Sequence, residues 1–118
     1  MLSKILNDRE KRLTGLAEDF RECQDVLFAI GDKTRQLIII ALIDAGCTPG
    51  IRVGEITQKT HLSRPAVSHH LKVLKDAKIL NVCNQGTMNY YSLDPRNNDL
   101  LKLKALVSKV EEILKEVT

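Results

Sequence analysis

Serine, histidine and cysteine, the residues of this chain that could carry out nucleophilic or metal chemistry, are widely spaced except in one segment. The segment LSRPAVSHHLKVLKDAKIL, residues 62–80, holds two of the three histidines, four basic residues and a single acidic one. Ser68, His69 and Asp76 are the residue types of a hydrolytic triad. However, serine and histidine at adjacent helical positions point in different directions, and no carboxylate is placed to orient either histidine. The segment therefore predicts no enzymatic activity.

Metal chelation is the second chemistry that histidines and cysteines could supply. Neighbouring residues of an α-helix point about 100° apart, so His69 and His70 cannot bind one metal ion together. Cys23, Cys47 and Cys83 are an odd number without a CxxC pair, whereas zinc and softer metals are bound by clusters of cysteine and histidine. The sequence therefore predicts no metal site and no cofactor. We expect buried thiols, with Cys23 as the candidate if one of them responds to oxidation.

Positive charge is concentrated in the middle of the chain. The formal net charge is +3, whereas residues 51–78 alone carry six basic and two acidic side chains. Excess positive charge on one element is typical of a protein that binds a polyanion such as DNA. The alternative is a solvated basic helix on a domain that binds no nucleic acid.

Length and hydropathy limit the class of protein. The 118 residues, 43% hydrophobic and 28% charged, fit one globular domain. The longest apolar run, LIIIALIDAG, contains Asp44 and Gly46 and is shorter than the roughly 18 residues that span a membrane. Charged residues between Lys4 and Arg12 lie where a signal peptide has its apolar core. We therefore expect a cytoplasmic protein without a membrane segment.

Hydrophobic periodicity predicts the helices. An amphipathic helix is expected over residues 3–20 of an N-terminal segment 1–22, followed by helices over 24–30 and 33–45, the latter capped by Asp32. A brief strand over residues 51–53 precedes a short helix over 54–60, and Ser63 caps a further helix that runs to about Lys78. Two short helices joined by a tight turn, here within residues 54–78, make a helix-turn-helix.

The pattern changes after the helix-turn-helix. ILNVCN and MNYYSL alternate with period 2 on either side of QGT, which predicts a β-hairpin turning at Gly86, a wing over residues 79–93. Residues 99–117 then space their apolar side chains by three and four, as packed helices do. The predicted fold class is mainly α (α+β), a single winged helix-turn-helix domain over residues 1–118 with a two-stranded wing and N- and C-terminal dimerisation helices.

A homodimer is expected because one amphipathic helix at the end of a small domain cannot bury its apolar stripe alone. Both the first and the last helix carry such a stripe. The side chains of the last helix predicted to lie in the dimer interface are Leu100, Leu103, Val107, Val110 and Leu114.

The outward side of the second helix of the helix-turn-helix predicts how DNA would be bound. Val67, Leu71 and Leu74 share one face and must pack inward. An α-helix fits the major groove, where arginine, serine and histidine can contact base edges and lysine can contact phosphates. His70 lies at the flank of the buried face, so we expect a structural hydrogen bond there. The predicted DNA-binding residues are Arg52, Lys59, Ser63, Arg64, Pro65, Ser68, His69, Lys72, Lys75, Gln85, Thr87 and Asn89.

Residues 27–95 resemble the ArsR/SmtB-type winged-helix repressors. The resemblance is carried by AIGDKTR, an LGDxTR-like entry to a core helix, by the pattern LSxxxVSxHLKxLxxA, and by a wing ending in YYxL. It implies a dimeric bacterial or archaeal repressor whose first and last helices form the dimer interface, to which the first helix would contribute Leu6, Leu13, Leu16 and Phe20. It also implies that the helix from Ser63 to Lys75 reads operator DNA, and that an inducer, often a metal ion, releases the DNA.

The sequence departs from this family at three places. Arg52-Val53-Gly54 stands where metal-sensing relatives have CVC or CVG, and no histidine follows His70, so neither metal site of the family is expected and the inducer is not predicted. The wing, residues 79–93, carries no charged side chain, whereas relatives have arginine or lysine near its tip. Lys78 replaces a glycine of the relatives at the entry to the wing.

Three functions are compatible with these observations. The first is a homodimeric, sequence-specific transcriptional regulator, with repression expected and activation left open. The second adds sensing by thiol oxidation to the same regulator. The third is a winged-helix module that binds another protein instead of specific DNA, for which the uncharged wing is the best support.

Overall fold

Helices account for most of the fold, and a single β-hairpin follows the fifth of them. The computed structural model describes residues 2–46, 49–94, 96 and 98–117, with side chains for all of these except residues 2–6, 98 and 117. The elements are α1 (Leu2–Glu22), α2 (Gln24–Ile30), α3 (Lys33–Ala45), α4 (Val53–Thr60), α5 (Arg64–Asp76), β1 (Leu80–Gln85), β2 (Met88–Leu93) and α6 (Asn98–Val117). The predicted winged helix-turn-helix is confirmed.

Helix α3 lies at the centre of the core. It begins where Asp32 accepts a hydrogen bond from the backbone amide of Thr34 at 2.9 Å, which satisfies a helix-terminal donor as an N-cap does. Its buried side chains include Ile38 and Leu42, which are almost completely inaccessible to solvent. The helix contacts α2, α4, α5 and β2, so it is the element around which the others are arranged.

The helix-turn-helix consists of α4 and α5. His61 ends α4 with a left-handed φ of 59°, and Ser63 then begins α5 by accepting from the backbone amide of Ala66 at 3.3 Å. Val67, Leu71 and Leu74 are buried, as predicted, because they recur at helical spacing on the side that meets α3. The opposite side of α5 is thereby directed outward.

The prediction that α5 runs to Lys78 is wrong by two residues, because the helix ends at Asp76. Lys78 takes a left-handed φ of 59°. The backbone amide of Lys78 donates to the carbonyl oxygen of Lys75 at 2.9 Å, and the backbone amide of Ile79 donates to the carbonyl oxygen of Leu74 at 3.0 Å. These two bonds form a Schellman motif, in which the left-handed position is usually glycine. Lys78 therefore occupies a backbone conformation that disfavours side chains.

Strands β1 and β2 form the wing, antiparallel from the pair Leu80 and Leu93 to the pair Gln85 and Met88. Gly86 takes a φ of 65° in the turn between them. The predicted strand over residues 51–53 is reduced to one bridge, between Ile51 and Tyr91, because α4 already begins at Val53.

Gly50 allows the segment before α4 to approach the wing closely. Its φ is 95°, and a Cβ atom there would lie 2.5 Å from the carbonyl oxygen of Tyr91. Both features exclude a side chain at this position. The wing is thus attached to the base of the helix-turn-helix by backbone contact.

Helices α1 and α6 run antiparallel and project from the rest of the chain. Ion pairs join Arg12 to Glu116 and Lys109 to Asp19, the latter at 2.6 Å. The radius of gyration is 18.4 Å and the longest extent 65 Å, whereas a compact chain of this length has a radius of gyration of about 13 Å. No helix within the described ranges is long and apolar enough to cross a membrane.

Replacing Lys78 by glycine should stabilise the protein. Glycine removes the cost of a left-handed backbone but makes the unfolded chain more flexible, so we expect a net gain of up to about 1 kcal/mol in the free energy of unfolding. Urea denaturation measures this difference. The control Lys78→Ala removes the same charge but keeps the strained backbone, and should change stability by less than about 0.5 kcal/mol. Equal effects of the two variants on stability would contradict the conclusion that the left-handed backbone at Lys78 is strained.

Candidate nucleic-acid interface

The residues predicted to bind DNA are all exposed in the structure. They belong to the segment before α4, to both helices of the helix-turn-helix and to the wing. They do not form one cluster, because some of them lie between the wing and α5 while others lie outside that space.

Two arginines and the tip of the wing form the first depression, which we name the arginine groove. Arg52, from the N-terminus of α4, and Arg64, from the N-terminus of α5, line it together with Thr87 and Asn89 of the wing. Its volume is about 380 Å³. The two guanidinium groups and the neutral side chains of the wing suit a phosphate group or an acceptor-rich base edge. The carboxylate of Glu55 also lines the groove and offsets part of this positive charge.

A second depression, the lysine groove, lies between α5 and the inner face of the wing. Ser68, Lys72 and Lys75 line its helical side, while Asn84 and Asn89 line its other side. Its volume is about 690 Å³. Lysine ammonium groups on one wall and amide groups on the other can bind the sugar-phosphate backbone of a nucleic-acid strand.

The two grooves adjoin each other, because Asn89 and Tyr91 line both of them. We name the two together the α5–wing trough, which borders α5 from Arg64 to Lys75. Arg52 and helix α5 supply the cations of the trough, while the wing contributes amide and hydroxyl groups, the apolar side chains of Leu80, Val82 and Met88, and no charged side chain. Most of the predicted DNA-binding side chains therefore meet on one surface.

Five predicted residues lie outside the trough, at its margins or on another side of α5. Lys59 is in the last turn of α4, Ser63 and Pro65 are at the start of α5, and Gln85 ends β1. His69 lines a different depression of about 440 Å³, formed with α2 and α3. His69 is therefore exposed on the flank of α5 and not in the trough.

Gln58, Asn81 and Asn84 also line the trough and were not predicted. A signal for Asn84 was present, because a hairpin turning at Gly86 pairs Asn84 with Asn89 on the same face. Gln58 and Asn81 gave no comparable signal, since their place depends on how α4 and the wing are arranged in space. The wing's polar contribution is therefore larger than the sequence indicated.

Arg35 joins the back of α5 to α2 and α3. Only 3% of this residue is exposed, and its guanidinium donates to the backbone carbonyl of Ala29 at 2.6 Å and to that of Phe28 at 3.2 Å. Nη1 of Arg35 lies 3.1 Å from Nδ1 of His70. The predicted structural hydrogen bond of His70 is therefore present, although its partner was not foreseen.

The surroundings of His70 favour its neutral form. Burial lowers the pKa of His70, and the positive charge of Arg35 lowers it further, while Asp32 acts in the opposite direction. Because arginine can only donate, Nδ1 of His70 must accept. The proton of the neutral ring then resides on Nε2.

Comparison with known proteins identifies the family. The family described as "Bacterial regulatory protein, arsR family" matches residues 32–82, which run from the N-cap of α3 into β1. The HTH-type transcriptional regulator MJ1325 of Methanocaldococcus jannaschii is 33% identical over 87 residues, 73% of this chain and 94% of that protein. This chain belongs to the ArsR family.

Two further similar proteins are described as transcriptional regulators. The transcriptional repressor SdpR of Bacillus subtilis is 36% identical over 70 residues, 59% of this chain and 73% of that protein. A crystal structure described as a possible transcriptional regulator for arsenical resistance superposes with a TM-score of 0.58 at 26% identity, and covers 80% of this chain and 97% of that one. The ArsR family consists of transcriptional regulators and not of enzymes.

Within this ArsR-family chain, the cysteines differ in their surroundings. Cys23 is completely buried, and burial, followed by the charges of Asp19 and Glu22, raises the pKa of its thiol. Because the thiolate is the form that reacts with oxidants, this argues against Cys23 as a redox sensor. Cys83 is exposed on β1, and Cys47 lies outside the described residues. In the described part of the chain, no group of three or more histidine, cysteine, aspartate or glutamate residues could hold a metal ion.

The residues predicted for the dimer interface fall into two groups. Four are exposed: Leu13 and Phe20 on α1, and Val107 and Leu114 on α6, with exposed fractions of 47–60%. Another four, Leu16, Leu100, Leu103 and Val110, are partly buried against the core. The side chain of Leu6 lies outside the described part of the structure.

Proposed function

We propose that this protein is a homodimeric, sequence-specific DNA-binding repressor of transcription that acts in the cytoplasm. The observation that carries the proposal is the α5–wing trough, where cations and amides converge beside the exposed side of a helix-turn-helix. Repressors such as SdpR are similar to this chain, which supports repression over activation. The operator and the inducer are not part of the proposal.

In the proposed complex, α5 enters the major groove of the operator. Arg64 and Ser68 are exposed near its N-terminal end and contact base edges, while His69 reaches a base from the flank of the helix. Lys72 and Lys75 lie farther along the trough and contact phosphates. A good bidentate contact to a base discriminates by about 1–3 kcal/mol, so a few such residues suffice for specificity.

The wing holds the DNA backbone through neutral groups. Asn84 and Asn89 face α5 across the lysine groove, and their amides can donate to phosphate oxygens without adding charge. Because only neutralised phosphates release counterions, the wing adds contacts without steepening the salt dependence. Thr87 and Gln85 act similarly at the tip.

The proposed homodimer forms through the antiparallel pair of helices α1 and α6. Leu13 and Phe20 are seven residues apart on one helix, and Val107 and Leu114 are seven apart on the other, so each helix presents an exposed apolar stripe. The elongated hairpin leaves these stripes uncovered within one chain. A second copy can bury them and place two α5 helices on successive half-sites.

Alanine at Arg64 or Lys72 tests the DNA surface. Each variant should weaken binding to a duplex selected by the wild type. Lys72→Ala should also reduce the slope of log K against log salt by about 0.9 for each phosphate that is no longer neutralised, which is about 1.8 in a dimer. Fluorescence anisotropy over a salt series measures both effects. Lys104→Ala, an exposed lysine of α6, is the matched control and should leave affinity and slope unchanged. Unchanged binding by both trough variants would refute the assigned surface.

Glutamate at Val107 tests the dimer interface. Val107 is 57% exposed, so the substitution should leave the monomer folded but introduce two charges into the proposed interface. Sedimentation velocity should then show dimers for the wild type and monomers for the variant at micromolar concentration. The matched control Ile40→Glu changes a residue that is 54% exposed on α3 and should remain dimeric. Loss of the dimer in Ile40→Glu alone would place the interface elsewhere.

A further inference from the structure

We infer that Arg35 is a positioning residue for α5, acting through His70, and that protonation of His70 lowers the preference of the protein for its operator. The inference rests on the proposed function, since it concerns how the DNA-reading helix is held. Neither Arg35 nor His70 is proposed to touch DNA.

Three helices meet at the Arg35 guanidinium. The side chain belongs to α3, its Nε and Nη2 atoms donate to the carbonyls of Ala29 and Phe28 in the last turn of α2, and Nη1 faces Nδ1 of His70 on α5. The guanidinium also lies 5.2 Å from the centre of the Phe28 ring, within the range of a cation–π contact. Through these hydrogen bonds, the Arg35 side chain fixes α5 relative to helices α2 and α3.

The direction of this contact matters because the buried side chains that hold α5 against the core are apolar. Val67, Leu71 and Leu74 hold the helix by burial, which is non-directional and tolerates a small rotation. A hydrogen bond depends on angle as well as distance. The bond to His70 therefore fixes the rotation of α5 about its axis, and with it the directions in which Ser68 and Lys72 point into the trough.

Protonation of His70 breaks this arrangement. The neutral ring accepts at Nδ1, whereas the imidazolium carries an N–H group there and a positive charge beside the guanidinium. Two donors and two cations then face each other at the 3.1 Å contact. The charged and titratable groups around His70 are Arg35 and Asp32 on α3 and His69 on α5, and only Asp32 favours the protonated form among them.

The direction of the pH effect follows from linkage. The pKa of His70 is lowered in the folded protein, so below the ordinary histidine value of about 6.5 the unfolded chain binds more protons than the folded one. The contribution of neutral His70 to the stability of the folded protein is complete above that value. It is lost as the pH falls through the pKa of His70 in the folded protein. The Arg35–His70 contact weakens in the same window.

The test compares operator preference across pH. The full-length reduced protein is titrated by fluorescence anisotropy against a duplex that it has selected from random sequences and against a scrambled duplex, at constant ionic strength, from about pH 7.5 to about pH 4.5, because the pKa of His70 lies below its usual value. The ratio of the two affinities removes the general attraction that any new positive charge adds. For the wild type this ratio should fall at least about fivefold over the range.

Two variants make the test specific. His70→Asn replaces Nδ1 by an amide oxygen that can accept from Arg35 at every pH, so its ratio should stay flat and close to the wild-type value at the upper pH. His61→Asn is the matched control at an exposed histidine outside the assigned DNA contacts, where asparagine tolerates the left-handed backbone, and its ratio should fall as in the wild type. Circular dichroism verifies that both variants are folded.

The pH dependence of the affinity ratio in the wild type and the two variants supports or overturns the inference. A wild-type ratio that is flat with pH, or a fall of equal size in His70→Asn, would overturn it while leaving operator binding established. A fall abolished by His61→Asn would assign the effect to a histidine other than His70 and overturn the inference as well. Equal wild-type affinity for both duplexes at every pH would overturn the proposed function together with the inference.

Discussion

The packing of α5 against the core centred on α3 is the interaction on which the rest of the structure depends. Val67, Leu71 and Leu74 are buried there, and a fully buried aliphatic side chain contributes about 1.5–3 kcal/mol. Their spacing decides which side of α5 faces outward, while Arg35 adds a directional contact through His70. Without the apolar packing, the cations of α5 would not lie opposite the wing, and the α5–wing trough would not exist.

The two walls of that trough differ in charge: the helical wall carries positive side chains, and the wing carries neutral ones. The helical wall supplies Arg64, Lys72 and Lys75, whereas the wing supplies Asn84 and Asn89. Electrostatic attraction to DNA should therefore come from the helix-turn-helix, and the wing should add hydrogen bonds that depend on close approach. The proposed dimer adds a second trough at a fixed distance, which doubles the contacts and requires a two-fold related site.

Local signals predicted most of the fold, and the errors arise where the deciding partner is distant in sequence. Asp32 and Ser63 marked the starts of α3 and α5, because an N-cap acts on amides two or three residues away. The end of α5 was misplaced, since Lys78 takes a conformation that a lysine gives no reason to expect. Arg35 was missed because its partner His70 lies 35 residues away. The trough was only partly predicted for the same reason, because its two walls are separate segments.

The salt dependence of DNA binding tests the central claim most directly, namely that the trough binds operator DNA with few charges. The reduced wild-type protein would be titrated by fluorescence anisotropy against DNA from upstream of its own gene and against scrambled DNA. Three or four phosphate contacts per protomer, doubled in a dimer, predict a slope of log K against log salt of about −5 to −7, with tighter binding to the upstream DNA. Absence of binding to either DNA at low salt would contradict the account and favour a winged helix that binds another protein.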